Sequence, residues 1–581
     1  MSVTHQGTPG PKAKLPQDPQ VWHTKTIYPA RAPYFMDIEA DLGQMTLVDA
    51  LKQSAEKFPH RPFLYFTTVE MSYAETWDQV KALATELSNL GVTSKDNVAV
   101  LLPNTPQFVI AFYAAMYLGC TATFCNPLHV SSELRFHIND SESTVLLAAD
   151  FLYDSVYPIK GETKLRLVVT TSIGDVLPGA KAFVGKLIGK IPKGKVKDPA
   201  VRKWTEVIAS GRKRPAISPA QPDPHKTACL QYTGGTTGVP KAAMLSHRNI
   251  LSNVMAVSYW TPEQINENDC FLGALPFFHI FGLTVALVAA TYFGSALVCI
   301  PNPRDLQSVL ASIQDRTVTY FPAVPTLFIG ILNYKDVDKY DLSPIKFCLS
   351  GAAALSVEVM RQFQKRTGAI ILEGYGMSET SPITFANPPE RMKEGSIGVP
   401  IPSTFAQVVD VESWKVLPPN EVGELVVAGP QVMSGYFNRP DETKKVLEER
   451  DGLVWMHTGD IAKMDEEGYA YIVDRAKDMI NVSGFKVFPR DVEEVLMTHP
   501  SIRNAAVVGV PDERTIERVR AFVEIKEGAD VPSSKELTEF ARERLAKYKV
   551  PKDFEVRQAL PTSMVGKVLR RELRAEAKEE Q

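Results

Sequence analysis

The chain contains few cysteines and no excess of either charge. Its six cysteines are scattered along 581 residues, and none of them forms a Cys-x-x-Cys pair. That pattern excludes a disulfide framework, a zinc ribbon and a thioredoxin-like redox site. The 64 Lys and Arg residues are balanced by 67 Asp and Glu residues, which gives a formal net charge of −3. Without a basic surplus, the composition gives no indication of nucleic-acid binding, and we predict no nucleic-acid partner.

The chain also lacks repeats, low-complexity composition and an N-terminal apolar run. No pattern recurs at a period of roughly 20–50 residues, so solenoids and propellers are excluded. The 35 glycines and 42 prolines are near average usage, which excludes collagen-like or broadly disordered chains. Residues 1–22 are polar and contain nothing like the apolar core of a secretory signal. We therefore expect a flexible N-terminal tail on a large, cytoplasmic, core-forming protein whose length allows about four domains.

Charged residues are missing from one long segment, because residues 270–303 contain no Asp, Glu, Lys or Arg. Its central part, residues 280–300, is long enough to cross a bilayer as a helix. However, Gly294 interrupts the run, and the apolar stretch 296–300 ends at Pro301, as a buried strand would. Since a buried helix followed by a buried strand has the same hydropathy, we predict that arrangement in place of a membrane span.

Residues 181–203 have an unusual local charge, with eight Lys or Arg residues and a single acid, Asp198. Apolar residues in this segment recur at helical spacing, and lysines fall on the opposite side. A basic amphipathic helix is typical of contact with an anionic membrane surface, here the inner face of the cell membrane. Because Gly185, Gly189 and Pro192 weaken any helix, a solvated surface insertion is an equal alternative.

Short β-branched runs alternate with helical patterns along most of the chain, as where residues 97–102 precede the helical stretch 108–117. This alternation predicts α/β layers with mostly parallel strands. Near the C-terminus the elements are shorter and more charged, and Ser533 or Ser534 is predicted to cap a helix that continues until Pro551. We predict an α/β fold in which a large N-terminal domain of several subdomains, with mixed sheets and helices, precedes a small mobile α+β domain.

The most informative segment is residues 232–241, with the sequence Tyr-Thr-Gly-Gly-Thr-Thr-Gly-Val-Pro-Lys. Its glycines let backbone N–H groups approach a polyphosphate closely, its threonine hydroxyls add donors, and Lys241 adds a positive charge. It differs from the P-loop G-x-x-x-x-G-K-[ST], because two residues separate Gly238 from the lysine and Ala242 replaces the magnesium-binding Ser or Thr. The segment therefore predicts phosphate binding without P-loop chemistry at the γ-phosphate.

Residues 232–249 resemble the phosphate-binding motif of the adenylate-forming superfamily, which includes acyl-CoA synthetases, firefly luciferase and peptide-synthetase adenylation domains. Further motifs follow in the superfamily's order and extend the resemblance over roughly residues 46–573. These motifs are Leu275-Pro276-Phe277-Phe278-His279, Gly351-Ala352-Ala353-Ala354, Tyr375-Gly376-Met377-Ser378-Glu379-Thr380, His457-Thr458-Gly459-Asp460, Asp474-Arg475-Ala476-Lys477-Asp478 and Gly566-Lys567-Val568-Leu569-Arg570-Arg571. The form of the loop, with a basic insertion before it, is most similar to bacterial-type long-chain fatty acyl-CoA synthetases.

The resemblance implies a reaction in two steps. A fatty acid carboxylate attacks the α-phosphorus of ATP to give an acyl-adenylate and pyrophosphate, and the thiol of coenzyme A then displaces AMP. Because the first step brings an anion to a polyanion, positioning and electrostatic stabilisation should supply most of the catalysis. The implied domains are a flexible segment at 1–45, an AMP-binding adenylation domain at 46–475 and a C-terminal cap at 476–581. A homodimer is left open.

The resemblance also implies which residues bind the phosphates and the metal. Those expected to hold the β- and γ-phosphates are Thr233, Gly234, Gly235, Thr236, Thr237, Gly238 and Lys241. Ser378 is expected to contact the α-phosphate, since its hydroxyl matches the threonine that is common in the superfamily. Glu379 is expected to bind the Mg²⁺ that arrives with ATP, a hard cation suited to carboxylate oxygens; the alternative is an ordinary exposed carboxylate.

A second set of residues is implied for the nucleoside and the acid. Tyr375 would stack on adenine, and Asp460 would accept hydrogen bonds from the ribose hydroxyls with help from Arg475. The backbone expected to meet the edge of adenine is that of Gly351, Ala352, Glu373 and Gly374. His279 would lie near the carboxylate and the acyl tunnel, although a lone histidine in an apolar run is also typical of a core position.

The remaining implied roles concern the hinge and the second step. Lys477 would be the pivot about which the small domain rotates between the two half-reactions. Lys567 would bridge the carboxylate and the α-phosphate during adenylation, although Val565 departs from the usual Ser-Gly-Lys pattern. After rotation, Gly484 would line the pantetheine channel, because only glycine lets a thin arm pass so close to the backbone. A second departure is Ile516, where the superfamily typically has glycine.

The leading hypothesis is an AMP-forming long-chain fatty acid–CoA ligase. A medium-chain or aryl acid–CoA ligase is the runner-up among enzymes, because the motifs concern ATP and do not read the acyl tail. Luciferase-like oxidation would need a special substrate that no motif indicates. From another class of protein, a membrane-docked acyl-binding or transport partner is the alternative. The presence of the charged site residues argues against it; these are Lys241, Glu379, Asp460, Arg475 and Lys567.

Overall fold

The computed structural model describes residues 32–33, 35–177, 192, 194–233, 239–261, 263–353, 355–475, 478–483, 485–512, 514–562 and 568–579. The predicted tail at residues 1–22 and residues 181–191 of the basic segment lie outside this part of the chain. The described strands form four sheets interleaved with helices. The predicted α/β class is therefore confirmed.

The first sheet has seven strands, and all neighbours are parallel except the last pair. In order across the sheet they are β7 (Arg202–Lys203), β6 (Leu167–Thr171), β5 (Ser143–Ala149), β3 (Asn97–Leu101), β4 (Thr121–Phe124), β8 (Thr227–Thr233) and β9 (Lys241–Ser246). Because β8 and β9 pair antiparallel, they form a hairpin at one edge of the sheet.

The second sheet has nine strands, of which the six from β14 to β1 in the order below are parallel. In order they are β16 (Val399–Pro400), β15 (Ile383–Ala386), β14 (Ile370–Gly376), β13 (Phe347–Ser350), β12 (Tyr320–Ala323), β10 (Cys270–Gly273), β11 (Ala296–Cys299), β1 (Pro62–Phe66) and β2 (Val69–Ser72). One large hydrophobic cluster includes residues from both of these sheets and from the helices that pack on them.

The helices of the large domain follow the predicted alternation. They are α1 (Ile38–Leu42), α2 (Leu47–Lys57), α3 (Tyr73–Asn89), α4 (Pro106–Tyr117), α5 (Ser131–Asp140), α6 (Tyr153–Val156), α7 (Trp204–Arg212), α8 (His247–Ser258), α9 (Ile280–Gly282), α10 (Ala289–Phe293), α11 (Leu306–Asp315), α12 (Pro325–Leu332), α13 (Val357–Thr367) and α14 (Pro440–Lys444). Short 3₁₀ turns lie at Asp150–Leu152, Tyr157–Glu162, Ile173–Val176, Val337–Lys339 and Ser378–Thr380. The predicted strand and helix at 97–102 and 108–117 correspond to β3 and α4.

The uncharged segment is a buried helix followed by a buried strand, as predicted. A π-helical stretch, Leu283–Val288, joins α9 to α10, and Gly294 ends α10 in the left-handed conformation with φ of 71°. The strand β11 then runs between β10 and β1 inside the second sheet. Within the described residues, no helix is both long and apolar enough to cross a membrane.

Two smaller sheets complete the molecule. The third is antiparallel, with β17 (Phe405–Val409), β18 (Gly423–Ala428), β20 (Leu453–Met464), β19 (Leu447–Arg450) and, against β20, β21 (Ala470–Arg475). The fourth contains β23 (Phe485–Val487), β22 (Ile480–Val482), β25 (Ile516–Ile525), β24 (Ile502–Asp512) and, against β25, β26 (Asp553–Arg557). Separate apolar clusters cover its two faces, so the small C-terminal domain has its own core.

The helices of the small domain are α15 (Pro489–Met497), α16 (Ser534–Arg542) and α17 (Arg570–Glu579), with a 3₁₀ turn at Lys547–Lys549. Ser533 caps α16 through a reciprocal pair of hydrogen bonds with Glu536, which confirms the predicted start. The predicted end before Pro551 is wrong, because α16 stops at Arg542. Leu545 and Tyr548 still pack on the same core. Their apolar spacing therefore correctly predicted that they face the core, although α16 does not extend to them.

Candidate nucleotide site

The hairpin of β8 and β9 brings Thr233 and Lys241 side by side, since they are paired residues at the end where the two strands are connected. The Thr233 hydroxyl donates to the carbonyl oxygen of Lys241 over 3.4 Å. At the other end of β9, Ser246 caps α8 in a reciprocal pair with Asn249, so strand and helix are joined rigidly. The other loop residues predicted to bind phosphate lie outside the described part of the chain; they are Gly234, Gly235, Thr236, Thr237 and Gly238.

The ammonium group of Lys241 lies among residues that sequence patterns did not indicate. It forms an ion pair with Glu442 on α14 and lies 5.3 Å from the centre of the Tyr436 ring. The Tyr436 hydroxyl donates to Oε1 of Glu379 over 2.8 Å. Burial and the adjacent Glu379 carboxylate raise the pKa of Tyr436 well above its ordinary value, so the hydroxyl keeps its proton and remains a donor.

Glu379 is held in place from two sides. It lies on the 3₁₀ turn Ser378–Thr380 directly after β14 and is buried, with 6% of its surface exposed. Its carbonyl oxygen accepts from the backbone N–H of Met433 over 2.8 Å, and its carboxylate accepts from Tyr436. The alternative of an ordinary exposed carboxylate is therefore wrong. The Tyr436 side chain contacts both this buried carboxylate and Lys241. A carboxylate in that position is suited to bind a cation that is also bound to phosphates.

Tyr375, Asp460 and Arg475 form a second group. Asp460 on β20 and Arg475 on β21 are paired across the strands, and Nε of Arg475 lies 2.6 Å from Oδ1 of Asp460. The hydroxyl of Tyr375, on β14, donates to the other oxygen of Asp460. Burial and the Asp460 charge raise the pKa of Tyr375 well above its ordinary value. Both carboxylate oxygens thus have fixed donors, which orient Asp460.

The backbone predicted to meet adenine lies at the carboxyl ends of β13 and β14, where ligands bind in open parallel sheets. Ser350 and Glu373 pair across these strands, and Gly351 follows directly. A Cβ at Gly351 would lie 2.8 Å from the Phe281 ring, so any larger residue would require that ring to move. Ala352 adopts a left-handed φ of 69°. Burial raises the pKa of Glu373 to about 7, although the backbone N–H of Leu355 donates to it.

His279 is the N-cap of α9, where its Nδ1 accepts from the backbone N–H of Phe281 over 3.2 Å. Burial lowers its pKa to about 4, so the ring is neutral near pH 7. The same helical stretch continues into the wall of an apolar cavity between α8 and the second sheet. Its lining includes Val254, Val257, Phe271, Val285, Tyr320 and Phe347.

Carboxylates also surround an arginine where the two domains meet. Asp474 is buried, and its two oxygens accept from the backbone N–H groups of Arg475 and Arg490, each over 2.7 Å. Burial raises the pKa of Asp474 to about 6. Arg570, the first residue of α17, pairs with Glu493 and lies 3.9 Å from Asp474. The residues predicted for the hinge pivot, the pantetheine channel and adenylation lie outside the described part of the chain; they are Lys477, Gly484 and Lys567.

Sequence reasoning missed Tyr436 and Glu442, because neither belongs to a motif with a predicted role and Glu442 lies 201 residues from its partner Lys241. The only local signal is the turn around them, in which Gly435 has a φ of 140° and Pro440 starts α14. A glycine followed closely by a proline predicts a loop and a helix start, but it does not predict which strand the loop contacts.

The fold and the site define an α/β protein that binds a nucleotide next to a small C-terminal domain. Residues 51–437 match the model of the family described as AMP-binding enzyme, and residues 491–567 match the AMP-binding enzyme C-terminal domain. The chain therefore belongs to the AMP-binding enzyme family.

Similar proteins extend over nearly the whole chain. It is 40% identical over 558 residues to the long-chain-fatty-acid–CoA ligase of Bacillus subtilis strain 168, which covers 95% of this chain and 97% of that one. It is 37% identical to the ligase of the same name from Escherichia coli O6:H1, with 96% and 98% covered. Among solved structures, the anthranilate CoA ligase AuaEII in complex with anthranoyl-AMP has a TM-score of 0.79 at 25% identity, covering 92% of this chain and 98% of that one.

Proposed function

We propose that the protein is an AMP-forming long-chain fatty acid–CoA ligase. The observation that carries the proposal is the 40% identity to a long-chain-fatty-acid–CoA ligase across 95% of the chain. In the first step, a fatty acid carboxylate oxygen bonds to the α-phosphorus of ATP, and the bond from that phosphorus to pyrophosphate breaks. In the second step, the coenzyme A sulfur bonds to the acyl carbon, the bond from that carbon to AMP breaks, and the thiol proton is released.

For the nucleotide, we assign Lys241 and Thr233 to the terminal phosphates, Ser378 to the α-phosphate and Asp460 with Arg475 to the ribose. The support is that the lysine and the threonine share one end of a hairpin, and that two donors orient Asp460. Lys241 supplies positive charge where the pyrophosphate leaves, which stabilises the transition state electrostatically. Stacking of Tyr375 on adenine, and contact of the Gly351 and Gly374 backbone with its edge, remain part of this proposal.

Glu379 fits Mg²⁺ that is carried mainly by the nucleotide. In the described part of the chain, no group of three or more His, Cys, Asp or Glu side chains could hold a metal ion. Mg²⁺ in nucleotide enzymes is typically bound by one or two carboxylates together with substrate phosphates, and a single buried carboxylate meets that requirement. When bound, the ion would neutralise phosphate charge. The protein's own part is to hold the Glu379 carboxylate through the Tyr436 hydroxyl.

For the two half-reactions, we propose a domain boundary between residues 475 and 476, with Lys477 as pivot, Lys567 in adenylation and Gly484 beside the pantetheine arm. The support is that β21 ends at Arg475 and β22 begins at Ile480 in a different sheet. Lys567→Ala should abolish adenylation while a supplied acyl-adenylate still passes to coenzyme A. Equal loss of both half-reactions would contradict a rotating domain. A bulky residue at Gly484 should spare ATP–pyrophosphate exchange and block thioester formation, and loss of exchange would instead indicate misfolding.

For the acid, we propose that the acyl chain enters the apolar cavity beside α8, with the neutral ring of His279 near the carboxylate. The cavity wall is almost entirely hydrocarbon and aromatic, which favours an acyl chain over a polar acid. Its volume is about 30 Å³, so the lining side chains have to move apart for the chain to enter. The test is pyrophosphate release with a panel of free acids of increasing chain length and with aryl acids. A maximum at long chains is expected, and a maximum at medium-chain or aryl acids would favour the runner-up. If no acid stimulates pyrophosphate release, both ligases are contradicted and acyl binding or transport is left.

For location, we propose a cytoplasmic protein that touches the inner face of the cell membrane through residues 181–203. The support is the local basic charge of that segment in a chain of near-zero net charge. Co-sedimentation with anionic liposomes should fall when residues 181–203 are removed, and unchanged binding would contradict membrane contact through this segment.

The oligomeric state is a separate question, and light scattering decides between a monomer and a homodimer.

A further inference from the structure

The ammonium group of Lys241 is already paired with a carboxylate of the protein itself. Its ion-pair partner, Glu442, is partly buried, with 26% of its side chain exposed against 16% for the lysine. The second oxygen of the carboxylate accepts from Lys445, which directly follows α14. The hydrogen bonds from these two lysines hold the pKa of Glu442 at about 2, so the carboxylate is charged throughout the physiological range.

The backbone fixes this ion pair. The segment that leads into α14 adds to the edge of β9, the strand that starts at Lys241. The N–H of Met244 donates to the carbonyl of Gly435 and that of Phe437 to the carbonyl of Ala242, each over 2.9 Å. The Thr443 hydroxyl then accepts from the N–H of Tyr436 over 2.8 Å and folds α14 back over the strand. These hydrogen bonds to β9 and within the turn therefore hold Glu442 next to Lys241.

Two anions compete for one cation in this arrangement. A carboxylate satisfies one ammonium with one charge, whereas a polyphosphate brings more charge and more acceptor oxygens. The polyphosphate therefore displaces the carboxylate, but the free energy of the broken ion pair is subtracted from its binding free energy. When pyrophosphate leaves, the Glu442 carboxylate is positioned to form the ion pair with Lys241 again.

We propose that Glu442 is an internal counter-ion that occupies Lys241 in the nucleotide-free protein, weakens the binding of ATP and pyrophosphate, and thereby promotes pyrophosphate release. The proposal rests on the role given to Lys241 under the proposed function. It assigns to Glu442 a role in setting nucleotide affinity, in addition to any contribution to folding.

The test is titration calorimetry of the full chain with Mg·ATP, in the absence of acid and coenzyme A, and separately with Mg·pyrophosphate. Glu442→Gln keeps the shape of the side chain and removes its charge. It should tighten both ligands about three- to tenfold, the range of a partly buried ion pair worth roughly 1 kcal/mol. The matched control is Asp441→Asn, which removes the same charge from the exposed neighbour on α14 and should change affinity less than about twofold.

Lys241→Met separates this inference from the proposed function. If Lys241→Met leaves Mg·ATP affinity unchanged, the phosphate role of Lys241 fails, and the counter-ion role fails with it. If Lys241→Met weakens binding but Glu442→Gln leaves it unchanged or weaker, only the counter-ion proposal is overturned, and weaker binding would make Glu442 a positioning residue. In the double variant the effect of Glu442→Gln should vanish, since coupled residues are not additive. Tightening that persists there would also overturn the proposal.

Discussion

Lys241 and Arg570 are both cations held by carboxylates, but their surroundings differ. Among the described residues Lys241 pairs with one carboxylate, that of Glu442, at the connected end of a hairpin. Arg570 pairs with Glu493 through two nitrogens and lies 3.6 Å from Asp478 and 3.9 Å from Asp474. A cation with one replaceable partner can exchange it for a ligand. A cation among three buried acids has a structural role, which here is to tie α17 to the segment between the domains.

The largest effect should follow from removing the cation at the domain junction. Arg570→Ala leaves Asp474, Asp478 and Glu493 with less than a tenth of their surface exposed and without their shared partner. Loss of one member of a buried charge cluster costs about 3–5 kcal/mol, so urea unfolding should show the small domain destabilised by that amount. The control, Arg542→Ala at an exposed position of α16, should cost less than about 0.5 kcal/mol. If Arg570→Ala lowers the free energy of unfolding by less than roughly 1 kcal/mol, Arg570 is not a structural cation, and the proposed difference between it and Lys241 is wrong.

An intermediate effect is expected at Glu373, a half-buried acid without an ion-pair partner among the described residues. Its pKa is raised to about 7 by burial, so the folded state favours the protonated form. That stabilisation is complete below the unfolded-state pKa near 4.5 and is lost as the pH rises through about 7. Glu373→Gln imitates the protonated form and should therefore gain about 1–2 kcal/mol over the parent at pH 8. At pH 4.5 the two should be equal.

The measurement for Glu373→Gln is the free energy of unfolding across pH 4.5–8. Glu358→Gln, at an exposed position of α13, is the control and should follow the parent at every pH. If the difference between Glu373→Gln and the parent is the same at both ends of the range, the carboxyl is not titrating with the fold. The Glu373 charge would then be balanced by other groups, as the charges of the acids around Arg570 are balanced by that arginine.

The sequence predicted the fold where a pattern and its packing coincide. The strand and helix expected at 97–102 and 108–117 occur as β3 and α4, because every residue of α4 is buried. The helix expected to reach Pro551 ends at Arg542, because Leu545 and Tyr548 meet the same core from a turn. Local periodicity reports burial, and it predicts a helix only when the backbone between the buried residues is also regular.

The site was predictable where one motif carries both partners, as for Thr233 and Lys241 eight residues apart on a hairpin. It was not predictable for Glu442 and Tyr436, since their position depends on how a distant loop adds to β9. The structure also explains why glycine suits the position of Ile516, where the superfamily typically has it. Its φ is 69°, a left-handed conformation that glycine adopts freely and that costs a β-branched residue about 1–2 kcal/mol.

The smallest expected effect concerns stability at the nucleotide site. Glu442→Gln breaks an ion pair that is still partly exposed to solvent, and such pairs contribute little to stability. The free energy of unfolding in urea should therefore fall only slightly, while Mg·ATP binds more tightly. Opposite signs for folding and binding are what an exchangeable counter-ion requires, because the ion pair that stabilises the free protein is the same one that the ligand must displace. A destabilisation near that of Arg570→Ala would instead make Glu442 a structural anion, and the two clusters would then serve the same purpose.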